Sequence, residues 1–142
     1  MFILTQAPNG QQPVYSSEQA AGADLKSNED VTIYPQDWYL VETGVYIEMP
    51  KGVVGLIHPR SGLAFKHGIT VLNAPGTIDS DYRGEIKVML YNASDEPFDI
   101  NKGDRIAQIV FQQYLKAEFI LTDMLSSTER GEGGFGSTGV AG

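Results

Sequence analysis

The sequence predicts an all-β fold, a sandwich or barrel of short strands interrupted once by a short helix. Three observations carry that reading. Turn-forming residues are dense, with 16 glycines and 7 prolines in 142 residues; several segments alternate with the strand period of two; and these segments recur at spacings that suit strands and tight turns better than long helices. Val31 to Tyr34 is the first clear β-rich piece. In the next, Val45, Ile47 and Met49 share one face. Val53 to Ile57 follows. Ser61 to Gly68 then breaks the pattern: Ser61 as N-cap and Gly68 as a left-handed C′ residue bound a helix of about two turns. Ile69 to Leu72 returns to strand character. In Ile86 to Leu90, the residues Ile86, Val88 and Leu90 line one side and Lys87 the other. Ile106 to Tyr114 and Glu118 to Leu121 complete the expected strands. Nothing before residue 126 reads as a linker, so residues 1–129 are expected to form one β-domain. From Arg130 to Gly139 only Phe135 is a large apolar side chain among small and polar ones, and residues 130–142 are expected to be a mobile, glycine-rich tail of the same domain.

Eighteen acidic against ten basic side chains give a net charge of −8. Nucleic acid and anionic membranes both require a basic face, so neither is an expected partner, and any anionic ligand must be held locally. The absence of cysteine removes disulfides, thiolate zinc sites and cysteine nucleophiles together. Two histidines, His58 and His67, cannot form a multi-histidine metal cage, and His67 reads as a surface or cap residue. The Phe2-Ile3-Leu4 run is too short for a signal segment, and no stretch approaches the ~18 apolar residues of a membrane span, so a cytoplasmic location is expected.

All four arginines, Arg60, Arg83, Arg105 and Arg130, lie within two residues of a glycine. Glycine lets backbone N–H groups approach a ligand, and arginine offers a planar fork matched to phosphate oxygens. The alternative is ordinary ion pairing at turns, Arg83 with Glu85 and Arg105 with Asp104. Arg60-Ser61-Gly62 stands at the helix start, where unpaired N–H groups favour anions, although Ser61 could serve only as a cap. The stretch from Asn73 to Gly84 packs an amide, two acids and an aromatic between two β-rich segments. A hairpin there would offer backbone edges to a base and an aspartate to a water molecule, or would be only a turn. Asp24, in Ala21-Gly22-Ala23-Asp24-Leu25, reads as a strand-end turn acid unless magnesium lies nearby.

Taken together, five blocks resemble the five motifs of the homotrimeric dUTPase family (dUTP diphosphatases). They are Ala21 to Leu25, Pro59-Arg60-Ser61-Gly62-Leu63-Ala64, Asn73 to Gly84, Gly103-Asp104-Arg105-Ile106-Ala107-Gln108, and Arg130 to Gly139. They span nearly the whole chain in the family's order and approximate spacing. The resemblance implies a jelly-roll-like subunit, a homotrimer with shared sites, Mg2+ as cofactor, and hydrolysis of dUTP to dUMP and pyrophosphate. It further implies that Asn73 and main-chain groups of Gly76 and Ile78 accept uracil, rejecting cytosine by an unmatched donor and thymine by its methyl group. By the same likeness, Tyr82 packs on the deoxyribose and excludes a 2′-hydroxyl, and Asp79 activates the water that attacks the α-phosphorus. Arg60, Ser61, Gly62 and Gln108 hold the phosphates, and Asp24 reaches the magnesium through water. Phe135 stacks on the base while Arg130, Gly136, Ser137 and Thr138 close over the phosphate end. Ser27 stands where the first motif often has alanine.

Two other readings use the same fold. A dCTP deaminase would need a glutamate in the strand after the hairpin, where this chain has Met89. A regulatory nucleotide-binding module would be expected to carry an insertion, whereas Glu85 to Lys102 reads as a plain strand, turn and strand.

Overall fold

The structure is a computed structural model that describes residues 1–141. Eleven strands and one helix follow in chain order: β1 (Leu4–Gln6), β2 (Val14–Tyr15), β3 (Ala23–Lys26), β4 (Val31–Ile33), β5 (Trp38–Glu48), β6 (Val53–His58), α1 (Ser61–His67), β7 (Ile69–Val71), β8 (Gly76–Ile78), β9 (Ile86–Asn92), β10 (Phe98–Ile100) and β11 (Arg105–Gln113). They form a four-stranded sheet in the order β1-β5-β9-β7, a five-stranded sheet β2-β3-β11-β6-β8, and a β10-β4 pair. Every pairing is antiparallel, as in a jelly roll.

Period-two sequence becomes one-sided burial. β6 and β9 alternate buried and less buried residues along their length, so one face of each meets the core. Val45, Ile47 and Met49 are buried together, as are Ile86, Val88 and Leu90, and these join Leu25, Ile57, Ile109, Ile33 and Ile100 in one cluster fed by all three sheets. β5 changes register between Glu42 and Val45, where Gly44 takes a φ of +68° that most side chains disfavour. The buried Thr43 hydroxyl at this bulge donates to the Ile86 carbonyl. Buried Asn92 donates to the Ile33 and Glu96 carbonyls and accepts from Ser94, so its side-chain amide is matched inside the fold.

Several expectations change in the folded chain. Gly68 ends α1 with φ +67° as expected, but the N-cap is Arg60 and no side chain caps the helix; Ser61 is its first residue. The two β-rich segments that flank Asn73 to Gly84, β7 and β9, pair antiparallel as a hairpin requires, but the stretch between them contributes a further strand, β8, to the other sheet. β7 pairs with β9 and β8 with β6, so residues 72–75 carry the chain from one sheet to the other. The loop holds Pro75, which has no N–H to give to a ladder, and longer strands offer each flank a better partner. Glu118 to Leu121 is not a strand: regular structure ends at Gln113, and Phe119, Ile120 and Leu121 project from an exposed arm with no neighbouring strand. Asp24 lies inside β3 and is buried, instead of marking a strand end.

Candidate functional site

Three adjacent strands of the five-stranded sheet bring one set of predicted residues together. Gln108 on β11 is opposite Asp24 on β3 and opposite His58 on β6, so the three stand in a row across the sheet. They line a cavity of about 640 Å³ together with Gly22, Pro59 and Ser61. The Gln108 amide donates to the Pro59 carbonyl at 2.9 Å, which ties the fourth sequence block to the second. Gly22 makes this possible through size: a Cβ there would lie 2.2 Å from Gln108 Oε1.

Charge in this cavity centres on Asp24. Its carboxylate faces Arg60 Nε at 3.2 Å and Arg105 Nη1 at 3.4 Å. Arg60 Nη1 also donates to the Arg105 carbonyl at 3.0 Å, so the two guanidinium groups are held at one end of the row. The ion-pairing alternative offered Asp104 to Arg105; instead the Asp104 carboxylate accepts from the Asn101 backbone N–H. Arg83 likewise leaves Glu85 for Glu48, at 3.8 Å. Ser61 and Gly62 open α1, whose first N–H groups have no partner within the helix. A cluster of two cations and an amide beside such N–H groups is chemically suited to phosphate oxygens.

A second set gathers around β8, an edge strand. Ile78, Asp79, Tyr82, Glu85, Lys87, Thr77 and Leu40 line a cavity of about 290 Å³. Gly76 is buried against β6, where a Cβ would come within 3.2 Å of Ile57 and 3.4 Å of Asn73 Nδ2, so Asn73 stands beside this strand. The Tyr82 hydroxyl donates to the Glu85 carbonyl at 2.9 Å. Lys87 bonds Glu42 at 3.0 Å, and that bond holds its ammonium above the usual lysine range.

Asp79 and Ser61 therefore line different cavities of one chain. The tail residues Arg130, Phe135, Gly136, Ser137 and Thr138 line neither. They lie in three successive turns, with the Phe135 ring fully exposed and its φ at +47°. His67 ends α1 with its ring 5.0 Å from that of Phe98, outside both cavities. Sequence reasoning gave no site role to His58 or Lys87, and singled out Arg105 only as one of four glycine-flanked arginines suited to phosphate. The pairing that brings Arg105 to Asp24 spans 81 positions and leaves no local signal.

Among the described residues, no three or more His, Cys, Asp or Glu side chains gather into a metal-binding group. Asp24 offers a single carboxylate, a hard oxygen donor of the type magnesium takes, beside cations that suit phosphates. That donor set fits an ion bringing most of its oxygen ligands with a polyphosphate, and does not fit a cage built by protein alone. No helix among the described residues is long and apolar enough to cross a membrane.

The dUTPase family profile matches residues 9–139. A deoxyuridine 5'-triphosphate nucleotidohydrolase of Nautilia profundicola is 60% identical over 127 residues, covering 89% of each chain. Its counterpart in Cytophaga hutchinsonii is 53% identical over 133 residues, 92% of this chain and 86% of that one. A variant of the Staphylococcus bacteriophage 80alpha dUTPase with dUpNHpp has the same fold, with a TM-score of 0.90, 28% identity and coverage of 98% of this chain and 99% of that chain. The dUTPase of S. aureus phage phi11, described with a structural Mg(II) ion, shares the fold at a TM-score of 0.82 and 23% identity, over 89% of this chain and its own whole length. With the profile spanning almost every residue and such identity along most of both bacterial relatives, the chain belongs to the dUTPase family.

Proposed function

We propose that this protein is a dUTP diphosphatase that hydrolyses dUTP to dUMP and pyrophosphate, acting in the cytoplasm to limit uracil in DNA and to supply dUMP for thymidylate synthesis. The observation that supports this most is that Asp24, Pro59, Ser61 and Gln108, from the first, second and fourth sequence blocks, line one cavity, with Arg60 and Arg105 paired to its Asp24.

In the proposed reaction Asp79 orients a water molecule and takes its proton. The water oxygen bonds to the α-phosphorus, the bond to the bridging α–β oxygen breaks, and its electron pair leaves with pyrophosphate. General-base assistance of this kind contributes ~10²–10⁴ in rate. Arg60, Ser61, Gly62 and Gln108 hold the phosphate chain, and fixed donors of this kind stabilise developing charge without reorganising. Magnesium chelated by the triphosphate, with Asp24 reaching it through water, would neutralise phosphate charge. Asn73 with the Gly76 and Ile78 main chain receives uracil, and Tyr82 packs on the deoxyribose. Phe135 covers the base, and Arg130, Gly136, Ser137 and Thr138 close over the phosphates, excluding water.

The active assembly is proposed to be a homotrimer in which different copies supply the two cavities and the tail. Support comes from the separation of Asp79 and Ser61 within one chain and from a tail that touches neither cavity. Pyrophosphate release with dUTP, UTP, dTTP and dCTP in the presence of magnesium tests the activity: release from dUTP alone is expected, and equal release from UTP or none from dUTP refutes it. Sedimentation equilibrium tests the trimer, and a monomer or dimer at working concentration refutes the shared site.

A further inference from the structure

A tyrosine that excludes a hydroxyl by bulk must be unable to retreat, because a ring free to rotate away would admit the extra oxygen at little cost. The turn after β8 holds Tyr82 at two points. Its hydroxyl donates to the Glu85 carbonyl at 2.9 Å. Its ring folds back over Gly84 so closely that a Cβ at position 84 would lie 2.4 Å from Oη, 2.5 Å from Cζ and 2.9 Å from Cε2. All three separations are shorter than real Cβ contacts, and they involve a rigid ring and not the free end of a flexible chain. Gly84 is not among the glycines with positive φ, so the backbone does not demand glycine there. The requirement is for space.

The turn beneath the ring is braced as well. The Tyr82 amide donates to the Asp79 carbonyl at 3.1 Å, and Arg83 Nη1 donates to the Ser80 carbonyl at 2.8 Å. The Glu85 carboxylate accepts from the Gly44 amide at 2.8 Å, which anchors the far end of the turn to the β5 bulge. The ring's seat is therefore fixed to the sheet.

We infer that Gly84 is a specificity-determining positioning residue: its bare Cα is the recess that seats Tyr82, and the seated ring, tethered to Glu85, is the wall that separates deoxyribonucleotides from ribonucleotides. The inference rests on the proposed role of Tyr82 at the sugar and extends it to a residue that touches no substrate. Adding one methyl group at position 84 displaces the ring and breaks its tether.

The test compares kcat/KM for dUTP and UTP in the wild-type protein and in the variants Gly84→Ala, Tyr82→Ala, Tyr82→Phe and the double variant Gly84→Ala/Tyr82→Ala. Gly84→Ala is expected to lower the dUTP-to-UTP ratio at least tenfold, with much of the change arising from faster UTP hydrolysis. Tyr82→Phe, which keeps the ring and removes only the tether, lowers the ratio by a smaller factor. Once Tyr82 is alanine, adding Gly84→Ala changes the ratio no further. A Tyr82→Ala ratio equal to wild type refutes the sugar role of Tyr82 and the inference with it. If Tyr82→Ala collapses the ratio while Gly84→Ala leaves it intact, the sugar role stands and the seat is wrong. Should Gly84→Ala not fold, as judged by circular dichroism, Tyr82→Phe decides alone: an unchanged ratio overturns the inference.

Discussion

Replacing Gly22 with alanine probes the phosphate side through a single methyl group. The backbone there does not need glycine, since Gly22 is not among the positive-φ residues, so the change is steric. The new Cβ would sit 2.2 Å from Gln108 Oε1, 2.9 Å from Cδ and 3.0 Å from Cβ. To reach ordinary van der Waals contact the amide must retreat by about an ångström, which breaks the 2.9 Å bond to the Pro59 carbonyl and withdraws the amide from the cavity. A hydrogen bond to a charged group is worth about 1.5–3 kcal/mol, so kcat/KM for dUTP should fall about 10- to 150-fold. The assay is pyrophosphate release, run beside Gln108→Ala and the double variant. Gly22→Ala should cost nothing more once Gln108 is alanine, because the two changes remove the same group. Wild-type kcat/KM in Gly22→Ala, or losses that multiply in the double variant, would refute the steric link.

Asp79→Asn should retain affinity for a non-hydrolysable dUTP analogue by calorimetry while turnover falls ~10²–10⁴-fold, and near-normal turnover would remove Asp79 as the base. Deleting residues 130–142 should leave a folded trimer of very low activity, checked by sedimentation and pyrophosphate release; failure to fold would make the tail structural. Arg105→Ala removes one of the two cations on Asp24, and because the Arg105 side chain is half exposed the stability change should stay within about 1 kcal/mol while KM rises several-fold. Ile109→Ala, in a fully buried position of β11, should cost about 2–5 kcal/mol in urea unfolding; a loss under 1 kcal/mol would contradict the core described.

How much of this was legible in the sequence depended on whether a signal was local. β9 and the second half of β5 announce themselves by alternation, β4, β6, β7 and β11 by their β-rich composition, and Gly68 by its place after a helical run. β1, β2, β3, β8 and β10 have two to four residues each, too few to display a period, and exist because a longer strand pairs with them. Asp24 looked like a turn acid because nothing beside it shows that β11 will cover it and bring Arg105 across. Glu118 to Leu121 has strand-compatible side chains but meets no strand in its own chain, so propensity alone was misleading. The candidate residues were found through their grouping into five blocks. Their split between two cavities depends on sheet order, which composition and spacing do not carry.

That split has a genetic corollary. Because Gln108 and Asp79 line separate hollows of the same polypeptide, a lesion at one leaves the other chemically intact. If neighbouring copies complete each other, two alleles that are each dead alone, one altered at Gln108 and one at Asp79, would restore a fraction of function when co-expressed. Mixed particles would contain some junctions where both halves are undamaged, and a cell carrying both alleles would outperform a cell carrying either.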